Sequence, residues 1–185
     1  MNEVLKTIAA RRSTRRFRPE PISEDELRAI LEAGLTAPSG HNDQSWYFAV
    51  VQNGELLKEI SDGGKIEMAK LPVEWIANLG RNEKFNIFHN APTAVIVATR
   101  KDAVSPVADA CAAIENMLIA AESLGIGSCW IGFAQFYFTG PERTRKVGIP
   151  DGYAVQFAVA LGYRAEGFNS DRPARKYGKY YHVIK

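Results

Sequence analysis

Four side chains near the amino terminus have the residue types and the spacing of an anion-binding site. Arg11, Arg12, Ser13 and Arg15 fall within five consecutive positions. A guanidinium group presents a rigid fork of N–H donors that matches the oxygens of a phosphate, and a serine hydroxyl adds another donor. A solvated basic loop is the alternative interpretation of the same residues. The cluster therefore indicates recognition of a phosphate-bearing ligand, without identifying that ligand.

A second basic cluster near the carboxyl terminus could bind the same anion. It consists of Arg172, Arg175 and Lys176. Residues 1–20 and residues 164–185 each carry a net charge of +4, whereas residues 21–163 carry −6. The two ends of a chain often lie close together in a folded domain, so the two clusters can meet. Nucleic acid is the alternative partner. We expect none, because the sequence pI of about 8.5 is below the range typical of nucleic-acid-binding domains.

Two further segments combine glycine with small or polar neighbours. The loop Pro38-Ser39-Gly40-His41-Asn42 precedes a predicted strand and could offer hydroxyl, amide and backbone groups to a planar polar ligand. Capping of a helix–strand connection is the alternative role for this loop. Gly132 follows Ile131 in an apolar strand, where a glycine indicates either a bulge or the close approach of the backbone to a ligand.

The common catalytic motifs are missing from the sequence. It contains no P-loop, no GxSxG and no HExxH motif, and its three histidines lack the spacing of metal ligands, so we expect no metal site. The segment 125–127, Gly-Ile-Gly, precedes a strand instead of following one and lacks a third glycine, which argues against a dinucleotide-binding fold. If the protein is an enzyme, we expect a bound cofactor to supply its reactivity.

Hydrophobic periodicity and turn residues predict one domain over residues 1–185, of the α+β or α/β class, with about four central strands. The Ser23-Glu24-Asp25-Glu26 capping box begins one of the helices. The longest helix, over residues 106–124, is apolar around most of its circumference, which favours burial at a subunit interface. The predicted helices cover residues 4–10, 24–36, 55–60, 106–124 and 141–147, and the strands cover 46–52, 93–99, 128–133 and 154–161. Residues 65–90 are the least regular part, and we expect them to combine helix and mobile loop.

Composition also bears on where the protein resides. Cys111 and Cys129 form no CxxC motif and are typical of reduced thiols in a cytosolic protein. The apolar stretches are too short to span a bilayer, and residues 1–12 lack the pattern of a signal peptide. We therefore expect a cytoplasmic protein without a membrane partner.

Taken in chain order, these residues resemble the FMN-dependent nitroreductase family. The resemblance extends over nearly the whole chain, and it is the ordered set rather than any single motif that is specific. The segments that carry it are residues 11–17 (RRSTRRF), 37–46 (APSGHNDQSW), 90–93 (NAPT), 124–132 (LGIGSCWIG), 161–163 (LGY) and 173–176 (PARK).

The resemblance implies an α+β fold with a mixed central sheet flanked by helices, assembled as an intertwined homodimer with two FMN sites at its interface. The residues that would hold the FMN phosphate, ribityl chain and pyrimidine edge are Arg11, Arg12, Ser13 and Arg15, with Arg175 at the phosphate, where Arg172 or Lys176 could take its place. The residues that would come from the other subunit are Pro38, Ser39, Gly40 and Asn42. The residues that would lie against the isoalloxazine are Ile131 and Gly132.

The resemblance also implies an activity. NAD(P)H would donate hydride to FMN and leave, and an electron-poor acceptor such as a nitroaromatic or a quinone would then use the same pocket, which gives ping-pong kinetics. No protein side chain would be catalytic, although Arg15 would tune the flavin. A flavin-binding protein of the same fold with a specialised role is the alternative.

Two features of this chain are particular to it. Ser45 stands where many members of the family have proline before Trp46, which we expect to loosen the start of that strand. Residues 62–90 are a candidate lid over the substrate, in which Trp75 and Phe85 could form aromatic walls or could instead belong to the helix core.

Overall fold

A four-stranded antiparallel sheet lies at the centre of the protein. We describe it from a computed structural model, in which residues 1–167 and 182–184 are described. The strands lie in the order β1-β2-β4-β3. Their bounds are β1 Trp46–Val51, β2 Thr93–Arg100, β3 Gly127–Ile131 and β4 Tyr153–Gly162. Strand β2 is buried on both faces of the sheet, as its apolar, β-branched sequence predicts.

Helices cover both faces of this sheet. On one face α2 and α5 pack against Val95 and Val97 of β2, and on the other face α3 packs against Ala94 and Ile96, because successive side chains of a strand point to opposite faces. The helices are α1 Glu3–Ala10, α2 Glu24–Leu35, α3 Gly54–Met68, α4 Glu74–Arg81, α5 Pro106–Ser123 and α6 Pro141–Lys146, with short 3-10 helices at Gly40–Asn42 and Phe133–Phe136. The predicted α+β class is confirmed.

The sheet differs in one respect from the mixed sheet implied by the resemblance. Among the described strands every ladder is antiparallel. The parallel pairing is an isolated bridge between Ser13 and Ser128, outside the named strands. The amino-terminal segment therefore adds a parallel contact beside β3 without forming a fifth strand.

Helix α3 is the element that the sequence predicted least well. The expected helix over residues 55–60 is in fact the 15-residue helix Gly54–Met68. Gly63 and Gly64 lie inside this helix, and the packing around them leaves no room for larger residues. A Cβ atom on Gly63 would lie 2.6 Å from the Tyr137 ring, and one on Gly64 would lie 2.7 Å from Ile87 Cδ1. Tertiary packing thus overrides the local preference of glycine.

The long helix α5 agrees with its predicted bounds within one residue. Its apolar side packs into the core that it shares with α2 and the sheet. Within the described residues, no helix combines the length and the apolar character that crossing a membrane requires.

Candidate functional site

The segment that carries the amino-terminal basic cluster is fixed along the edge of the sheet by backbone hydrogen bonds. The Thr14 N–H donates to the Ser128 carbonyl of β3 at 2.8 Å, and the Arg18 N–H donates to the Tyr163 carbonyl at 2.9 Å. The Ala165 N–H donates to the Arg16 carbonyl at 3.1 Å. Residues 13–18 therefore lie beside both β3 and the chain that leaves β4. The first basic cluster is held next to the chain that leads towards the second one.

Two glycines make this close approach possible. A Cβ atom on Gly127 would lie 2.8 Å from Thr14 Cγ2, and one on Gly162 would lie 2.9 Å from Pro92 Cδ and 3.0 Å from Phe17 Cδ1. Side chains at these positions would force the amino-terminal segment away from the sheet. Both glycines belong to segments that carry the family resemblance. The structure shows that glycine is needed there because segments far apart in the chain pack closely against each other.

The three arginines of this cluster occupy different environments. Arg11 is three-quarters buried, with its Nε 3.8 Å from Glu115 Oε1 of α5. The Nη1 of Arg12 donates to the Arg11 carbonyl. Arg15 is exposed, and its charge acts on both His89 and Cys129. The cluster is therefore a concentrated positive region at the end of the sheet where β3 begins, as an anion-binding site requires.

His89 and Cys129 lie within the electrostatic reach of this cluster. Burial and then the positive charge of Arg15 lower the pKa of His89 from its usual value of 6.5, because both disfavour the protonated imidazole. Burial raises the pKa of the Cys129 thiol, although Arg15, Ser13 and Arg11 act in the opposite direction. At neutral pH the imidazole is therefore neutral and the thiol is protonated, so the arginines carry the charge of this region.

An aromatic cluster lies beyond the carboxyl end of β3. The Phe133 ring lies 6.0 Å from the Trp75 ring and 6.4 Å from the Phe85 ring, measured between centroids. Trp75 is 60% exposed, so it is not a core residue within the described part of this chain, whereas Phe85 is partly buried against the core. Both residues of the candidate lid therefore lie beside the residue that follows Gly132.

Gly132 itself has no structural reason to be a glycine within the described chain. Its φ of −82° and ψ of −33° are ordinary for any residue. A Cβ atom built on it would meet no described atom within 4 Å. The preceding residue, Ile131, is buried at 3% exposure. The backbone at Gly132 is thus open to a ligand that would approach too closely for a side chain.

The loop from Pro38 to Asn42 forms a short 3-10 turn with its own hydrogen bonds. The Asn42 N–H donates to the Ser39 carbonyl at 3.1 Å, and the Gln44 N–H donates to Ser39 Oγ at 2.9 Å. His41, Asn42 and Gln44 have φ values of 54°, 57° and 46°. Three non-glycine residues in the left-handed region mark a strained segment, as is common at functional sites.

Ser45 fastens this loop instead of loosening it, contrary to the expectation from its replacement of proline. The residue is fully buried, and its Oγ donates to Asp109 Oδ2 at 2.7 Å. Asp109 Oδ1 accepts a second hydrogen bond from the Gly40 N–H at 2.9 Å. Asp109 belongs to no motif that is visible in the sequence; it is the acidic residue in the first turn of α5.

The basic segment and this loop lie at opposite ends of the sheet. Ser13 lies beside Ser128, which pairs with Leu161 of β4. The Ser45 carbonyl accepts from the N–H of Arg100, whose partner on β4 is Tyr153. Eight residues of extended strand separate these two positions on β4, or roughly 25 Å. Within one subunit, the structure brings Arg11, Arg12, Ser13 and Arg15 together with β3, but not with the loop.

Arg175 lies outside the described residues, as do Arg172 and Lys176. The described chain that leads towards them, residues 163–165, runs beside the amino-terminal segment. The contribution of Arg175 at the phosphate stays a prediction.

The chain is similar to proteins of one family over most of its length. The model of the nitroreductase family matches residues 8–163. A nitroreductase with bound FMN from Bacteroides fragilis has 39% identity and a TM-score of 0.92, with all of both chains covered. A nitroreductase with bound FMN from Desulfitobacterium hafniense has 32% identity and a TM-score of 0.87, also with all of both chains covered. A protein of Archaeoglobus fulgidus, provisionally named NADH dehydrogenase/NAD(P)H nitroreductase, is 36% identical over 172 residues, or 88% of this chain and 86% of that protein.

The environment of His89 yields a testable pH dependence. Its imidazole should titrate below 6.5, and Arg15→Gln should raise its pKa only part of the way, because burial remains. The unfolded chain takes up this proton near 6.5, whereas the native chain resists it, so the free energy of unfolding should fall as the pH drops below 6.5. NMR titration of the histidine ring protons measures the pKa directly.

The matched control is Arg16→Gln, because Arg16 is exposed and is not among the charges that act on His89. Equal shifts in the two arginine variants, or a His89 that titrates above 6.5, would contradict the proximity of Arg15.

Proposed function

The chain belongs to the nitroreductase family, and from that membership we propose that it is an FMN-dependent NAD(P)H oxidoreductase that reduces electron-poor acceptors such as nitroaromatics and quinones. The solved structures from Bacteroides fragilis and Desulfitobacterium hafniense hold FMN, and this chain matches them over its whole length. The observation that carries the proposal is the open backbone at Gly132, directly after β3, whose first residues pair with a basic segment suited to a phosphate.

The basic segment fits the phosphate end of FMN. Its backbone is fixed against β3, so the arginine side chains start from a rigid base and lose little further backbone freedom when a ligand binds. Arginine pairs bidentately with phosphate oxygens, and Ser13 supplies a hydroxyl. The residues assigned to the phosphate, ribityl chain and pyrimidine edge are Arg11, Arg12, Ser13 and Arg15, with Arg175 at the phosphate.

The end of β3 fits the flat ring system of the cofactor. An isoalloxazine can lie against the backbone of Ile131 and Gly132, because no side chain or other described atom fills the space at Gly132. Trp75, Phe85 and Phe133 form an aromatic wall beside this position. Aromatic side chains favour planar, electron-poor molecules through stacking, which supports nitroaromatics and quinones as the acceptor class.

The second half of the site would come from another copy of the chain. The residues assigned to it are Pro38, Ser39, Gly40 and Asn42. Their separation from Ser13, roughly 25 Å along β4, supports a contribution in trans. Helix α1 supports the homodimer, because none of its residues is buried in the described single chain, and Val4, Leu5 and Ile8 are 62%, 51% and 47% exposed.

The chemistry would belong to the cofactor. FMN, when bound, supplies hydride transfer from NAD(P)H to the acceptor, and a shared pocket would make the two substrates bind in turn. The protein would bind and orient the flavin, and the Arg15 guanidinium would stabilise negative charge at the pyrimidine edge.

The proposal also includes a cytoplasmic location. Cys111 and Cys129 are both free thiols, which is typical of proteins in a reducing compartment.

Turnover distinguishes this activity from a specialised flavoprotein of the same fold. The purified protein should show the visible absorption bands of a flavin and should oxidise NADH or NADPH in the presence of a quinone or a nitroaromatic. Double-reciprocal plots at several acceptor concentrations should give parallel lines. A flavin-containing protein without turnover would support the specialised role, and a protein that neither carries nor binds FMN would refute both.

Arg12→Ala tests the phosphate contact. The substitution removes a charge-assisted hydrogen bond that typically contributes about 1.5–3 kcal/mol. The Kd for FMN should therefore rise roughly 10- to 150-fold, as measured by fluorescence titration of the apoprotein. Arg28→Ala is the matched control, because Arg28 lies on the exposed side of α2 in an ion pair with Glu24. If Arg12→Ala keeps its full flavin complement through dialysis, the assigned role is wrong.

Gly132→Ala tests the position of the ring system. A methyl group at this position meets no described atom. The free energy of unfolding of the apoprotein, measured in urea, should therefore be unchanged or slightly higher. Overpacking against a bound ring would cost about 1–3 kcal/mol, which raises the Kd for FMN at least about fivefold. Gly54→Ala is the control, since a Cβ atom on Gly54 would also meet no described atom within 4 Å. Unchanged FMN affinity in Gly132→Ala would place the ring elsewhere.

A further inference from the structure

Asp109 is a buried acidic residue that has no role in the proposed hydride transfer. It lies in the first turn of α5 and is 2% exposed. Its two carboxylate oxygens accept one hydrogen bond each, from the Gly40 N–H at 2.9 Å and from Ser45 Oγ at 2.7 Å. Gly40 is the middle residue of the loop assigned to the flavin of the second subunit, and Ser45 lies directly before β1. One side chain therefore joins the middle of that loop and the start of β1 to a long, well-packed helix.

The loop depends on fastening from outside, because its own conformation is strained. The left-handed conformations of His41, Asn42 and Gln44 are unfavourable for residues with a Cβ atom, and they persist only where the surroundings hold them. Gly40 is a glycine because of the same contact with α5. A Cβ atom there would lie 2.9 Å from Ser105 Oγ. The backbone is thus drawn close to the first turn of the helix, where Asp109 binds it.

A second fastening of this region is a partly buried ion pair. Asp43 forms an ion pair with Arg100, and the side chains are 20% and 38% exposed. Solvent screens a pair of this kind, whereas the hydrogen bonds of Asp109 lie in the protein interior. Asp109 is therefore the more deeply buried of these two side-chain links between the loop and the rest of the fold.

We propose that Asp109 is a positioning residue for flavin binding in trans: it holds Ser39, Gly40 and Asn42 in the conformation that the FMN site of the second subunit requires. This inference rests on the proposed function. It explains how this chain holds the backbone before β1 with Ser45, at a position where the ring of a proline would restrict the backbone covalently. A serine permits the left-handed Gln44 before it, which a proline would disfavour, and its hydroxyl supplies the hydrogen bond that replaces the ring.

Substitutions that remove one or both hydrogen bonds test the role of Asp109. Asp109→Ala should raise the Kd for FMN about tenfold or more, and Ser45→Ala should raise it by a smaller factor. Asp109→Asn should stay within about threefold of the wild type, because its carbonyl can accept from Gly40 and its amide can donate to the Ser45 hydroxyl. This rescue by asparagine separates hydrogen-bond geometry from charge.

Thr99→Val is the matched control for general destabilisation. Thr99 is fully buried at the same end of the sheet, opposite Trp46, and its hydroxyl accepts a hydrogen bond from Gln156. The variant should unfold at a lower temperature than the wild type but bind FMN with unchanged Kd. If Asp109→Ala does not fold, Ser45→Ala and Asp109→Asn carry the comparison.

A mixed dimer tests the action in trans. Co-expression of Arg12→Ala and Asp109→Ala chains with different affinity tags gives a dimer in which one site contains both defects and the other site contains neither. This dimer should bind one FMN with wild-type affinity, although each parent homodimer binds FMN weakly at both sites.

The outcomes separate the inference from the proposed function. A wild-type protein that fails to bind FMN would refute the proposed function and the inference together. If the wild type binds FMN and Asp109→Ala binds it equally well, Asp109 is merely structural and the inference alone is wrong. Two weak sites in the mixed dimer would show action within one subunit and would also overturn it.

Discussion

The pairing of residues 13–18 with β3 and with the chain that leaves β4 is the constraint on which the rest of the structure depends. These backbone hydrogen bonds join the amino-terminal segment to β3 and to residues 163–165. They form only because Gly127 and Gly162 leave room for Thr14 and Phe17. The same contact concentrates positive charge at one end of the sheet and sets the electrostatic environment of His89. The proposed phosphate site therefore depends on long-range backbone pairing, which holds the segment that carries the arginines.

Elements with a strong local signal could be predicted from the sequence. The Ser23–Glu26 capping box forms with both of its reciprocal hydrogen bonds, and the apolar run of β2 is buried as expected. Helix α3 was predicted too short because its determinants are tertiary, and α4 lies in residues 65–90, for which helix was expected without bounds. Gly63 and Gly64 are poor helix formers, but in the folded chain Tyr137 and Ile87 occupy the space that larger side chains would need. Local propensity depends only on residues that are close in sequence, whereas the length of this helix depends on side chains that are distant in the chain.

In the candidate site too, residues that are adjacent in sequence could be predicted, whereas residues brought together only by the fold could not. The basic cluster is visible in the sequence because its residues are adjacent, and the loop from Pro38 to Asn42 is visible through its turn composition. Asp109 could not be found in this way, since its partners Gly40 and Ser45 lie 69 and 64 residues away. The expected loosening at Ser45 was wrong for the same reason: the effect of losing a proline depends on what the replacement side chain contacts.

The distribution of the site over the sheet has a thermodynamic consequence for the proposed homodimer. If the basic segment and the loop lie roughly 25 Å apart in one subunit, a monomer presents only half-sites, and a flavin gains its full set of contacts only in the assembled pair. Ligand that binds the dimer better than the monomer must stabilise the dimer by mass action. Burial of the exposed apolar side of α1, which includes Val4, Leu5 and Ile8, would favour the same assembly in the absence of ligand. Fastening the loop to α5 through Asp109 then matters twice, because α5 belongs to the core of one subunit while the loop that it holds would serve the other.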